Sequence, residues 1–156
     1  MTRALFNQES YEVYCKYQAS VHGEDKVNDV DGYTNFLCQV PLFDPKDKEE
    51  SSREFTKENA KKPDEGRKLD VEGVWPEFRG GYHMLHRIDG ELFAVGVLDY
   101  TKEALSSVYL FYDPKYEFLS PGNLCALKEI EYCRRIIKDF DSGFKFYYMG
   151  LYFQDC

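Results

Sequence analysis

The chain has 156 residues, a formal net charge of −8, and a composition of 43% hydrophobic, 17% aromatic and 31% charged residues. A domain of this length buries about 68–70% of its unfolded surface, and thirteen Tyr and twelve Phe supply material for a core, so a disordered chain, a collagen-like repeat and a disulfide miniprotein are excluded. Acidic residues exceed basic ones in every part of the chain, which counts against a self-sufficient nucleic-acid binder, because counterion release rewards Lys and Arg.

In chain order, residues 4–21 predict an amphipathic helix with Leu5, Tyr11, Tyr14, Cys15, Gln18 and Val21 on its apolar side, although its start is poorly marked. A polar stretch with two glycines follows, and residues 33–40 then read as a short helix stopped by Pro41. These two helices make up a first part, 1–43. Residues 44–72 are dense in charges of both signs and poor in apolar side chains, so they read as a solvated, disordered insertion.

From residue 73 the pattern changes to strands, and 73–156 is read as the sheet and crossover helix of the same domain. Residues 82–88 and 91–99 flank Asp89-Gly90, a dipeptide suited to a type I′ hairpin turn. The second run is apolar on both alternating faces, as an interior strand covered on both sides would be. Residues 106–112 form a third strand, closed by Asp113-Pro114, and a loop follows. Ser120 then reads as an N-cap with Pro121 at the first helical position. The helix stripe is Leu124, Leu127, Ile130, Cys133, Ile137 and Phe140, and Gly143 ends the helix. Residues 144–153 form a last, aromatic strand. The class is therefore α/β (α+β), and the order β-β-β-α-β of a mostly antiparallel meander with one crossover helix is that of the acetyltransferase-like (GNAT) fold.

Several runs carry a closer resemblance: GGYH at 80–83, IDGELFAVGVLD at 88–99, SSVYLFYDP at 106–114, FLS at 118–120 and YYMG at 147–150. In order and spacing they resemble the C-terminal half of arginyl-tRNA–protein transferases. Tyr11, Tyr14, Tyr17 and Gln18, with Tyr33, Phe36, Leu37 and Cys38, resemble that family's earlier helices. The resemblance implies transfer of arginine from Arg-tRNA to the α-amine of proteins beginning with Asp, Glu or oxidised Cys, marking them for ubiquitin-dependent degradation. It implies no cofactor, because the tRNA ester is already activated. The task left to the protein is to align a neutral amine and stabilise an oxyanion. The family's N-terminal metal-binding cysteine domain, and the basic tail after the cysteine matching Cys156, have no counterpart in this sequence. The chain is thus expected to be a fragment or short form, one that needs the missing domain or a partner chain for full activity.

Asp99 ends an apolar strand, where a carboxylate can have a raised pKa and serve as a base or orient the incoming amine, or else simply satisfy a turn. Ser106 and Tyr112 alternate onto one face, Ser107 and Tyr109 onto the other. Ser107 and Tyr109 are taken as the pair that positions the donor, on the strand where a GNAT-like fold receives its acyl donor. His83 and His86 face opposite sides of their strand, so they make no paired metal site. His83 matches a family histidine and is expected to support the cleft. Arg134 and Arg135 are candidate contacts for phosphate or an acidic substrate terminus. The connection before the crossover helix has a single glycine, which weakens an acyl-CoA-dependent N-acyltransferase as an alternative. The other alternative is a catalytically silent interaction module of the same fold.

The five cysteines, at 15, 38, 125, 133 and 156, include no C-x-x-C pair and are expected to be free thiols with no metal. No run approaches the roughly 20 apolar residues of a membrane span, and residues 1–9 have no signal-peptide core. The expected location is cytoplasmic, with the nucleus possible, and no membrane partner is expected.

Overall fold

The computed structural model describes residues 1–23, 30–39, 80–101, 103–140 and 143–150. The charged segment at 44–72, the Pro41 stop, the end of the last strand and Cys156 lie outside the described residues. The elements are β1 (Thr2–Arg3), α1 (Gln8–Val21), α2 (Val30–Leu37), β2 (Gly80–Ile88), β3 (Glu91–Tyr100), β4 (Ala104–Tyr112), a 3₁₀ helix (Pro114–Leu119), α3 (Pro121–Phe140) and β5 (Phe146–Tyr148). One mixed sheet runs in the order β1-β2-β3-β4-β5, antiparallel except for β5, which lies parallel to β4. This α/β arrangement is compatible with the GNAT-like fold. It includes β1, which two residues are too short to signal by alternation.

The hairpin between β2 and β3 turns at Asp89 (φ 50°) and Gly90 (φ 86°), both in the positive-φ region that a type I′ turn requires. α1 and α2 cover one face of the sheet, where Val13, Tyr14, Tyr33 and Leu37 pack on Leu92, Val95, Val97 and Phe111. α3 covers the other, setting Cys133 and Ile136 against Met84, Leu98, Tyr100 and Leu105. β3 is consequently buried from Leu92 through Leu98, the doubly covered strand that its composition predicts.

The helices differ from expectation in start and in rotation. Asn7 caps α1 by accepting a 2.9 Å bond from the Ser10 N–H. The buried side of α1 is Ser10, Val13, Tyr14 and Gln18, whereas Leu5 precedes the helix and, like Val21, is exposed. α2 starts three residues before the expected Tyr33. The loop expected after β4 is a 3₁₀ helix, capped by Asp113, whose carboxylate accepts from the Lys115 N–H. Ser120 closes that helix with φ at 51°, and its carbonyl accepts the first bond of α3 from Leu124. Along α3, Leu127 and Ile137 are exposed, and the buried line is Cys125, Glu129, Cys133 and Ile136, at steps of four, four and three.

Candidate functional site

Register decides which of the candidate side chains meet. On the α1/α2 face, His83, Val97 and Tyr109 lie directly opposite one another across three strands, and Asp99 lies opposite both Gly81 and Ser106 in the next row. His83, Asp99 and Tyr109 therefore share one face within two rows. The Nε2 of His83 is 2.9 Å from the Leu37 carbonyl, which can only accept, so this nitrogen carries the proton and ties α2 to the sheet. Burial lowers the His83 pKa, partly offset by that bond, which keeps the ring neutral. The Tyr109 hydroxyl accepts a 3.2 Å bond from Gln18, and the ring packs edge-on against Phe36 and Tyr17.

Asp99 is half-buried, and burial raises its pKa. Its neighbour across β2 is a glycine. Among the described residues its carboxylate makes no hydrogen bond or ion pair. A carboxylate of this kind can accept a proton from, or orient, an ammonium group.

Ser107 is not with Tyr109. Val97 pairs with Tyr109 and Leu98 with Ser107, leaving Val108 as an extra residue on β4, a β-bulge. The bulge reverses the alternation, so the shared face expected for Ser107 and Tyr109 is corrected: Ser107 faces α3. There it meets Glu129, which is 1% exposed. The Tyr147 hydroxyl donates a 2.6 Å bond to Glu129 Oε2, and the Ser107 hydroxyl lies near enough to both to ease their pKa values downward. Burial raises the Glu129 pKa, and the two hydroxyls offset only part of that rise. Glu129 Oε1 occupies the hollow over Gly96, where a Cβ would stand only 2.6 Å from it and 3.8 Å from His86 Nε2. That nitrogen is buried without a hydrogen-bond partner, and burial first, then the positive charges of the chain's N-terminus and Lys128, lower the His86 pKa to about 4.

Sequence reasoning missed Glu129. Two signals pointed to it: a glycine inside a strand that is otherwise apolar, which often marks close approach by another group, and a position midway between Cys125 and Cys133 on one side of α3. Arg134 and Arg135 join neither cluster. Arg134 is exposed, and Arg135 is paired with Glu131. Cys15, Cys38, Cys125 and Cys133 are free thiols, and burial pushes Cys125 and Cys133 up to about 12, which makes them inert as nucleophiles. Among the described residues no cluster of His, Cys, Asp and Glu is arranged to hold a metal, and no helix is long and apolar enough to cross a membrane.

Residues 9–156 match the family model for the C terminus of arginine-tRNA-protein transferase. Arginyl-tRNA–protein transferase 1 of Arabidopsis thaliana is 34% identical over 159 residues, covering 100% of this chain and 21% of that protein. Its namesake in Saccharomyces cerevisiae is 32% identical over 156 residues, covering 98% of this chain and 28% of that protein. An aspartate/glutamate leucyltransferase of Campylobacter jejuni is 29% identical over 76 residues, 49% of this chain and 29% of its own length. The chain thus spans between a fifth and a third of the length of these relatives.

Proposed function

The chain belongs to the arginyl-tRNA–protein transferase family, and on that footing we propose that it forms the acyl-transfer part of an arginyltransferase. The donor is Arg-tRNA, the acceptor is the α-amine of a protein beginning with Asp, Glu or oxidised Cys, and the product enters ubiquitin-dependent degradation in the cytoplasm or nucleus. In the reaction the amine nitrogen forms a bond to the arginyl carbonyl carbon, the ester C–O bond breaks, and the proton lost by the amine passes to the departing ribose oxygen. An α-amine has a pKa of about 7.7–8.0, so it needs only modest help to become neutral.

The observation that carries this reading is the half-buried carboxylate of Asp99, which has no hydrogen-bond or ion-pair partner among the described residues and lies opposite Ser106 and one row from His83 and Tyr109. Asp99 orients the ammonium and takes the proton whose loss leaves the amine neutral before attack, and the proton released as the C–N bond forms is the one that passes to the ribose oxygen. His83, neutral and fixed on the Leu37 carbonyl, braces the wall of the cleft with Tyr109. Ser107 contacts the donor from the other face of β4, and the exposed Arg134 meets an anionic group. Arg135, already paired with Glu131, is the weaker phosphate contact of the two.

A second reading, a silent interaction module, is favoured by the small share of its relatives that this chain spans. Purified chain incubated with labelled Arg-tRNA and a peptide beginning with Asp separates the two. The enzyme reading expects label in the peptide and a loss of about 100-fold or more in Asp99→Asn, with the circular dichroism spectrum unchanged. Turnover unchanged in Asp99→Asn removes Asp99 from the reaction. Absence of both transfer and Arg-tRNA binding at low salt leaves the module.

A further inference from the structure

Glu129 poses a question of charge balance. A carboxylate taken out of water needs a counter-charge or hydrogen bonds to stay ionised, and burial otherwise drives it toward its protonated form, as it does for Glu129. Among the described residues no Lys or Arg forms an ion pair with Glu129, and the Lys128 ammonium is 3.2 Å from Glu131 instead. The hydroxyl that does bond Glu129, that of Tyr147, owns a single proton, and the Ser107 hydroxyl stands close to both groups. With the Tyr147 proton given to the carboxylate, that hydroxyl has only lone pairs left to offer. Tyr147 and Ser107 are both half-buried, whereas Glu129 is buried. The remaining unsatisfied polar atom of the cluster, His86 Nε2, belongs to a ring that burial keeps neutral and so adds no positive charge. Ser107 also stands one residue beyond Ser106, the last β4 residue paired with β5, so the cluster lies where that ladder ends.

We propose that Glu129, Ser107 and Tyr147 form a subsite for the positive charge of the donor's arginyl group. Lone pairs backed by a carboxyl group that has no ion-pair partner among the described residues suit a nitrogen cation rich in N–H donors, whose charge would hold that group ionised, and the arginyl group offers two, a guanidinium and an α-ammonium. This rests on the donor-positioning role given to Ser107 above and extends it to recognition of the amino acid itself. Gly96 is what makes room for the carboxylate, since any side chain there would meet Oε1.

Calorimetric titration of the whole chain with arginine methyl ester tests the subsite. The expected result is saturable binding that weakens at least 10-fold in Glu129→Gln, which removes the charge but keeps the shape, and that also weakens in Tyr147→Phe. Two further probes identify the cation. Citrulline methyl ester keeps the α-ammonium and loses the guanidinium charge, while N-acetylarginine methyl ester does the reverse. Loss of binding by either one supports the subsite and names the group it holds. Equal binding of all three esters overturns it, as does wild-type protein that fails to bind arginine methyl ester or a Glu129→Gln variant that binds it as tightly as wild type. Should Glu129→Gln fail to fold, Tyr147→Phe decides the matter in the same way. Transfer from Arg-tRNA is measured separately. Transfer that persists with ester binding indifferent to Glu129 sinks the subsite alone, and Glu129-dependent ester binding without transfer sinks the arginyl-transfer reading alone.

Discussion

Alanine at Gly96 probes the packing between β3 and α3 through a single contact. Gly96 has none of the positive φ values that disfavour a side chain, so the effect of alanine comes from what its methyl group meets. That is Glu129 Oε1, 2.6 Å from the Cβ position, on a side chain 1% exposed whose other oxygen is held at 2.6 Å by Tyr147. The carboxylate cannot move aside without stretching that bond, and moving β3 disturbs a buried strand. Overpacking of this kind destabilises by about 1–3 kcal/mol, and a domain of this size loses about 2–4 °C in Tm for each kcal/mol. Urea unfolding followed by far-ultraviolet circular dichroism measures the effect. In a Glu129→Ala background the obstacle is gone, and the same substitution should become neutral or stabilising, because alanine is favoured over glycine inside a strand by about 0.5–1 kcal/mol. An equal loss in both backgrounds, or no loss in the wild-type background, would refute the contact.

Asp113 caps the 3₁₀ helix and meets the Lys16 ammonium at 2.7 Å. Burial works against its charge, but Lys16 and the Lys115 N–H outweigh burial and hold the carboxyl below its usual 3.8. The stability it adds is therefore present above about pH 3.8 and is lost as pH falls through the folded value. Asp113→Ala should destabilise by about 1–2 kcal/mol at pH 7, mostly as a lost cap because Lys16 is largely exposed, and an unchanged urea midpoint would contradict the assignment. Removing the His83 ring leaves the Leu37 carbonyl without its donor, so His83→Ala should lose about 1–3 kcal/mol and speed amide exchange in α2 more than in α3; equal acceleration in both would count against the tie. In the wild type, burial lowers the pKa of His83 and His86, so the unfolded chain takes up protons that the folded one refuses. Stability should accordingly fall as pH drops below about 6.5 and continue falling toward 4, and urea midpoints equal at pH 7 and pH 5 would rule this out.

Strong local signals were legible in the sequence. The Asp89-Gly90 turn, the doubly buried β3, and the opposition of His83 to His86 all follow from chemistry confined to a few neighbouring residues. Helix rotation was less legible. A stripe through Leu127 and Ile137 fits helical spacing as well as the true line through Cys125, Glu129, Cys133 and Ile136, and hydrophobicity alone prefers the wrong one because the right one contains a carboxylate. On α1 the same bias admitted Leu5 and Val21 and passed over Ser10, whose small side chain is fully buried. Polar residues that find partners inside are invisible to a pattern that sorts residues by hydropathy, since what permits their burial is a contact from elsewhere in the chain.

The fate of Ser107 shows how one local irregularity redistributes a predicted site. Alternation has period two, so a single extra residue moves every later side chain to the opposite face. Val108 is that residue, and nothing in Ser-Ser-Val-Tyr marks it as a bulge, because the register shift is set by how β4 pairs with β3. The break falls beside Gly96, itself the strand position where a side chain is missing, and both are needed for Ser107 and Glu129 to meet. Without the bulge, a Ser107 that shared Tyr109's side would leave Glu129 with one hydroxyl fewer. With a side chain at 96, the carboxylate would lose its place on the sheet. Two departures from regular strand chemistry within a few residues of each other thus serve the same buried group. Each carries a local penalty that packing alone does not require, and sequence rules fail at such points because they describe the regular strand from which these residues depart.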